Sequence, residues 1–78
     1  EVTLFPNPAR EWVTVSSREP LIDPEVVLFN AAGQRIPLNY RAQEYQLELP
    51  VQTLPAGIYF LQIRQAGQAP LMRQLVIE

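Results

Sequence analysis

The side chains that could perform acid–base or metal chemistry are few in this sequence. It contains no cysteine and no histidine, so a Ser–His–Asp triad, a Cys–His pair and the usual zinc ligands are excluded. Glu44 and Glu48 share one face of a predicted strand, which we interpret as a solvated face. Asp23 and Glu25 flank Pro24 and could bind calcium weakly with loop carbonyls, but they lack the glycine-bearing spacing of a calcium loop. We therefore expect no enzyme, no metal site and no cofactor.

The charge pattern argues against two classes of partner. The chain has a net charge of −2 and a pI near 5.0, and its six basic residues are arginines spread along the sequence. This distribution lacks the basic patch that nucleic acids or anionic membranes require. No apolar run approaches the roughly 20 residues of a membrane span, so we expect no direct membrane insertion. No signal-peptide pattern opens the chain, and we expect residues 1–78 to be a single domain cut from a longer protein.

The aromatic side chains are the remaining candidates for ligand binding. Trp12 falls on the wetter face of a predicted strand, where it could stack on a sugar or a peptide. Covering a sheet edge or packing under a loop is the interpretation that we favour. Trp12, Tyr40 and Tyr45 are the aromatic residues available for sugar stacking, but they lie on separate segments and Tyr45 is predicted to point inward. The sequence therefore does not predict an aromatic platform.

The strand that organises the chain follows a turn at residues 54–57. Pro55 fixes its own φ and Gly57 tolerates a positive φ, so the Pro-Ala-Gly run can bend the backbone tightly. Residues 58–64 are rich in β-branched and aromatic side chains, with Tyr59, Leu61 and Ile63 on one face. The other face starts apolar and ends polar. This pattern indicates a central strand that other strands cover.

Six further segments have the composition or the two-residue alternation of strands, and turn residues separate them at intervals of about 8–12 residues. We predict Pro6-Asn7-Pro8 to be a rigid corner and residues 30–33 to be a hairpin turn. The predicted strands are residues 1–5, 11–17, 25–30, 34–38, 44–49 and 71–77. Together with residues 58–64 they predict an all-β fold, a seven-stranded immunoglobulin-like antiparallel β-sandwich.

Three separated motifs resemble those of one protein family. Residues 4–10 (LFPNPAR) resemble the "YPNPA" opening of the C-terminal sorting domains of type IX secretion. Residues 26–34 (VVLFNAAGQ) are similar to the "V-x-I-Y-D-x-x-G-K" hairpin of that family, and residues 54–63 (LPAGIYFLQI) are similar to its "LPxGIYFLKI" signature. Residues 72–77 lie where the family has its closing strand. The order and separations agree over essentially the whole chain.

The resemblance implies a C-terminal signal domain that directs an attached N-terminal cargo from the periplasm across the outer membrane through the type IX translocon. It also implies removal of the domain by a sortase-like peptidase, followed by attachment of the cargo to the cell surface or its release. The expected localisation is secreted or cell surface. The alternative is a non-catalytic carbohydrate- or surface-binding module of a secreted enzyme, and a passive spacer is a third hypothesis.

Two departures from the family pattern concern the recognised surface. Asn30 replaces a frequent Asp, and Arg73 is the only basic residue of the last predicted strand, where the family usually ends in lysines. A terminal strand can offer unpaired backbone groups to a receptor or to a second copy, so an edge-strand dimer stays open. The candidate recognition residues are Pro6, Asn7, Pro8, Asn30, Gly33, Pro55, Gly57, Tyr59, Arg73, Leu75 and Ile77.

Overall fold

A computed structural model describes residues 2–78, and Glu1, the first residue of the predicted strand 1–5, lies outside the described residues. Within that range the chain forms eight strands and no helix, and so no helix that could span a membrane. The strands are β1 (Val2–Phe5), β2 (Trp12–Ser17), β3 (Glu25–Asn30), β4 (Arg35–Ile36), β5 (Arg41–Ala42), β6 (Gln46–Pro50), β7 (Gly57–Arg64) and β8 (Leu71–Ile77).

The strands form two four-stranded antiparallel sheets. The first sheet has the order β1-β2-β6-β5, and the second has the order β4-β3-β7-β8. Numbered from the first strand, these orders correspond to the ABED and C′CFG sheets of an immunoglobulin-like sandwich. The structure therefore confirms the predicted all-β sandwich. It also confirms that β7 is central, because β7 pairs with β3 on one side and with β8 on the other.

The hydrophobic core lies between the two sheets and follows the alternation of the strands. Each sheet contributes fully buried aliphatic side chains, and no polar side chain is buried within residues 2–78. Burying one such side chain contributes about 1.5–3 kcal/mol, so a small number of residues supplies most of the stability. The largest fully buried side chains are Val13, Val15, Leu28, Leu47, Leu49, Val51, Leu61, Ile63 and Leu75.

The structure differs from the sequence-based expectations in the segment that leads into β6. The predicted loop at residues 39–43 contains the short strand β5, which pairs with β6 over only two residues. Two residues are too few to show an alternation of apolar and polar side chains in the sequence. Tyr45 was predicted to point inward, but its side chain is 48% exposed. The reason is a bend at residues 44–45, where the Tyr45 carbonyl accepts the Ser17 N–H at 2.8 Å and β6 begins only at Gln46.

Candidate recognition surface

The Pro-Asn-Pro-Ala segment lies along the outer edge of the closing strand. The Asn7 amide spans the edge: its Oδ1 accepts the Val76 N–H at 3.1 Å and its Nδ2 donates to the Gln74 carbonyl at 3.4 Å. The Ala9 N–H donates to the Val76 carbonyl at 2.8 Å, and the Ala9 carbonyl accepts the Glu78 N–H at 2.8 Å. Residues 6–9 therefore form an edge-covering segment on β8.

The local sequence explains why this segment lies there. Pro6 and Pro8 have no N–H to donate, and proline holds the preceding residue in an extended conformation. The Ala9 N–H, the first backbone donor after Pro8, pairs with β8, and the Ala9 side chain is completely buried. A small side chain at this position allows the backbone to approach the strand closely.

Covering the last part of β8 leaves only a short open stretch on its edge. In an antiparallel ladder, every second residue of an edge strand directs its N–H and C=O groups away from the neighbouring strand. The backbone groups of Met72, Gln74 and Val76 therefore all lie on the edge of β8 that faces away from β7. Within residues 2–78, the Met72 carbonyl accepts a hydrogen bond only from Arg73 Nη1, at 2.9 Å, and the Gln74 carbonyl accepts one from Asn7 Nδ2. The N–H groups of Met72 and Gln74 thus form the part of this edge that the described chain leaves open.

The turn between β3 and β4 is held by Asn30. Its Oδ1 accepts the N–H groups of Ala32 at 3.0 Å and Gln34 at 2.9 Å, and its Nδ2 donates to the Gln34 side chain at 2.9 Å. Gly33 has a φ of 84°, a backbone conformation that residues other than glycine and asparagine rarely adopt. An aspartate at position 30 would keep both accepted bonds and lose the donated one. Asn30 is therefore compatible with the predicted hairpin.

Tyr59 is a structural residue near the start of β7. Its ring is 5% exposed, and its hydroxyl donates to the Pro55 carbonyl at 2.6 Å. This is the tyrosine-corner arrangement of immunoglobulin-like sandwiches, in which a tyrosine on the sixth of seven strands bonds to the backbone a few residues upstream. The bond ties the Pro-Ala-Gly turn to the first residues of β7.

The sheet register brings the separated motifs to one end of the sandwich. Asn30 lies opposite Tyr59, which in turn lies opposite Leu75. Two rows further along, Gly57 lies opposite Ile77, and Ile77 forms a bridge with Ala9. We call the end that carries these two rows the motif end. The edge-covering segment, the hairpin turn and the Pro-Ala-Gly turn all meet there.

The candidate recognition residues divide into buried, half-buried and exposed groups, and Asn30 is half-buried. Tyr59, Leu75 and Ile77 belong to the core and are not accessible to a receptor. Arg73 lies in the same row as Leu61, on the inward-facing side of β8, where it is half-buried and away from the motif end. The residues exposed at the motif end are Pro6, Asn7, Pro8, Gly33, Pro55 and Gly57.

An apolar surface on the second sheet was not among the predicted site residues. Ile58 and Phe60 of β7 point away from the core, and they lie opposite Val76 and Phe29, respectively. Met72 on β8 is a further large exposed hydrophobic residue on the same side. We call Phe29, Ile58, Phe60, Met72 and Val76 the outer apolar face. The only signal in the sequence was that the outward face of residues 58–64 starts apolar.

A second aromatic surface lies on the outside of the first sheet. Trp12 and Tyr40, which were not expected to form a platform, line one shallow cleft, whereas Tyr45 does not belong to it. Trp12 is 55% exposed and lies opposite Pro50 in the register of β2 and β6. We call the residues that line this surface the aromatic cleft: Trp12, Asn39, Tyr40, Arg41, Glu48 and Pro50.

The charged groups form no compact site. Within residues 2–78 no group of three or more His, Cys, Asp or Glu residues is placed to hold a metal ion. Two exposed ion pairs are present in this range: Arg10 with Glu78 at 3.2 Å and Arg41 with Glu48 at 3.9 Å. Pairs of this kind contribute at most about 1 kcal/mol each. Asp23 and Glu25 therefore have no third carboxylate beside them.

Comparison with known proteins agrees with the geometry. The family described as "Secretion system C-terminal sorting domain" matches residues 3–78, which covers nearly the whole chain. A search of curated proteins gave no match. Domains of this family are C-terminal signals for type IX secretion, so the chain is a signal that works with a cargo and with the secretion machinery, in a secreted or cell-surface protein. The chain belongs to the family of type IX secretion C-terminal sorting domains.

Proposed function

We propose that the type IX translocon recognises this domain at the motif end and on the outer apolar face, and thereby carries an N-terminal cargo from the periplasm across the outer membrane. The observation that carries this proposal is the convergence of motifs that lie up to 69 residues apart in the chain on one end of the sandwich. Each motif could form its turn without the other motifs. Their position at one end of the sandwich is therefore not needed to form the turns, and it supports a shared surface.

The outer apolar face supports the same proposal. Small soluble domains rarely leave a contiguous apolar surface uncovered unless another molecule binds there. Ile58 and Phe60 belong to the signature at residues 54–63, and their side chains point outward. The signature therefore supplies both a structural residue, Tyr59, and the apolar side chains that a receptor could contact.

We propose that recognition uses side chains more than strand addition. The edge-covering segment occupies the end of β8, and the open N–H groups at Met72 and Gln74 would support only a short added strand. The edges at β4 and β5 are only two residues long, which is a common protection against pairing with another chain. These features disfavour an edge-strand dimer through β4, β5 or β8.

The later steps concern the whole exported protein. We propose that residues 1–78 are a single non-catalytic domain excised from a longer chain, and that a sortase-like peptidase removes it before the cargo is anchored at the surface or released. The composition supports a non-catalytic role, because the domain has no cysteine or histidine with which to build a nucleophile and its base.

An export assay tests the proposed function. Residues 1–78 are fused behind a fluorescent reporter that carries its own signal peptide, in a host with type IX machinery and in a strain without the translocon. We expect the reporter outside the cell only when the translocon is intact. Reporter retained in the periplasm of both strains, with the domain folded, would contradict the proposal.

A second measurement tests removal of the domain. The mass of the exported reporter is determined in strains with and without the sortase-like peptidase. We expect the mass of the reporter to fall by the 8.9 kDa of the domain only in the strain with the peptidase. An exported reporter that keeps the domain in both strains would show that removal is not part of its function.

A further inference from the structure

We propose that the aromatic cleft on the first sheet binds a neutral glycan. The cleft lies on the first sheet and the outer apolar face lies on the second, although Trp12 also lines a groove with Pro6 and Pro8 of the motif end. The proposal does not depend on the sorting function, and its test is a binding measurement on the chain alone.

The arrangement of the aromatic residues supports a sugar ring as the ligand. Trp12 is the only tryptophan of the chain, and more than half of its surface is exposed. An exposed indole offers an apolar face for the C–H side of a pyranose ring and an N–H donor for a hydroxyl. The Trp12 N–H makes no hydrogen bond within residues 2–78, so this donor is available.

Tyr40 lines the cleft together with Trp12. Its hydroxyl donates to the Pro24 carbonyl at 3.3 Å, which links the cleft to the loop before β3. This long hydrogen bond restrains the ring, and any such restraint reduces the conformational entropy lost on binding. Pro50 lies opposite Trp12 in the register of β2 and β6, where it forms part of the same lining.

The polar residues of the cleft suit a ligand that has hydroxyl groups and no net charge. Arg41 provides donors, Glu48 provides acceptors, and the Asn39 amide can provide both. The Arg41 guanidinium lies 3.9 Å from the Glu48 carboxylate, so their charges compensate each other locally. A neutral ligand with many hydroxyls fits this lining better than a phosphate or a carboxylate does.

A proline-rich peptide is the other ligand that stacks on exposed aromatic residues. Grooves for such peptides are lined by aromatic side chains that pack against an extended, rigid polyproline helix. A polyproline peptide has no backbone N–H to donate, so the acceptor oxygens of Glu48 and Asn39 would find no donor in it, whereas sugar hydroxyls both donate and accept. The observations thus favour a glycan.

Because Trp12 is the only tryptophan, its fluorescence reports on the proposed site directly. The 78-residue chain is titrated with a panel of neutral oligosaccharides: cellohexaose, mannohexaose, maltohexaose and xylohexaose. We expect a saturable blue shift with at least one of them and a Kd of about 1 mM or tighter, as for a small shallow site. No saturable shift with any of the four at 10 mM, or a shift with a ten-residue polyproline peptide alone, would overturn the proposal.

Variants measured by calorimetry connect the binding to the cleft. We expect Trp12→Ala and Arg41→Ala each to weaken binding at least about tenfold, and Phe5→Ala, which removes an exposed aromatic residue outside the cleft, to leave it unchanged. Arg41 is an exposed residue of a two-residue strand, so Arg41→Ala keeps the test valid if Trp12→Ala unfolds. Equal binding by wild-type chain and Arg41→Ala would also overturn the proposal.

Discussion

At the scale of single residues, two side chains hold the motifs in position. The Asn7 side chain takes the place of a neighbouring strand at the edge of β8. Its amide group pairs with the Val76 N–H and with the Gln74 carbonyl. Tyr59 closes the turn that precedes β7 with a bond of 2.6 Å. Both residues belong to motifs of the sorting domain, and both act through geometry that can be measured without a receptor.

The first prediction concerns Asn7. Asn7→Ala removes both bonds to β8 and leaves the Val76 N–H unpaired, so we expect a loss of about 1–2 kcal/mol in the free energy of unfolding. Asn7→Asp keeps the oxygen that accepts the Val76 N–H and loses only the longer bond to Gln74, so its loss is expected to be smaller. Urea unfolding measures both variants. Equal stability of Asn7→Ala and wild type would show that the amide does not hold the edge.

The second prediction concerns Tyr59. Tyr59→Phe keeps the buried ring and removes the hydroxyl bond to Pro55, for which we expect a loss of about 1 kcal/mol. The matched control is Tyr45→Phe on an exposed ring, with an expected change within about 0.5 kcal/mol. Thermal and urea unfolding of the two variants provide the comparison. A loss at position 45 as large as that at position 59 would contradict the assigned corner.

At the scale of elements, the closing strand depends on a segment from the opposite end of the chain. β8 pairs with β7 along its full length, but its outer edge is covered only where residues 6–9 lie against it. Uncovered strand edges pair readily with other chains. The edge-covering segment therefore both completes the motif end and protects the domain from association.

The third prediction follows from this protection. Replacing Pro6-Asn7-Pro8 by Gly-Ser-Gly removes the Asn7 bonds and the stiffness of the segment, while the buried Ala9 is kept. We expect this variant to self-associate at concentrations at which the wild-type chain is a monomer, as measured by sedimentation velocity. Replacing the exposed residues Gln52 and Thr53 by Gly-Ser is the control. A monomeric variant across the same concentrations would contradict the protective role.

The elements differ in how far the sequence predicts them. The alternation of residues 58–64 and their turn residues are local, and they predicted a central strand correctly. The contact of Asn7 with β8 joins residues 67 and 69 positions apart, and no local pattern encodes which edge a corner will cover. Tyr45 was misplaced because a bend interrupts an alternation that continues in the sequence.

The same reasoning applies to the candidate sites. The sequence placed Ile58 and Phe60 on the face opposite to that of Tyr59, but whether that face is covered depends on the rest of the fold. It did not predict that Trp12 and Tyr40 share a cleft, because they meet only through the pairing of β2 with β6 and of β5 with β6. The motif residues were identified from the sequence, and their division into buried and exposed groups required the structure.

At the scale of the whole molecule, a small core limits how the signal can be studied. The sequence has no cysteine for a disulfide, residues 2–78 contain no group of residues placed to hold a metal ion, and a domain of this size has a typical stability of about 5 kcal/mol. Leu75 and Ile77 belong to the core as well as to the last strand. Deleting the closing strand would therefore remove the fold together with any recognition surface that it carries.

The fourth prediction makes this limit quantitative. Leu75→Ala removes a completely buried side chain, so we expect a loss of about 2–5 kcal/mol in the free energy of unfolding, which leaves about 0–3 kcal/mol and lowers the melting temperature. Its failure to be exported would then report on stability alone. Far-UV circular dichroism and thermal unfolding measure the effect. A variant that stays fully folded would show that the core tolerates the cavity.

The measurement that tests the central claim most directly is the export of folded variants of the outer apolar face. Ile58→Thr removes an exposed isoleucine from that face (46% exposed), and Ile22→Thr removes one from the loop between β2 and β3 (56% exposed). Threonine keeps the preference for strands, so both variants are expected to fold. We expect export of the reporter to fall at least about tenfold for Ile58→Thr and to stay at the wild-type level for Ile22→Thr. Wild-type export of a folded Ile58→Thr variant, and of the double variant Ile58→Thr/Phe60→Thr, would show that the translocon does not recognise this face.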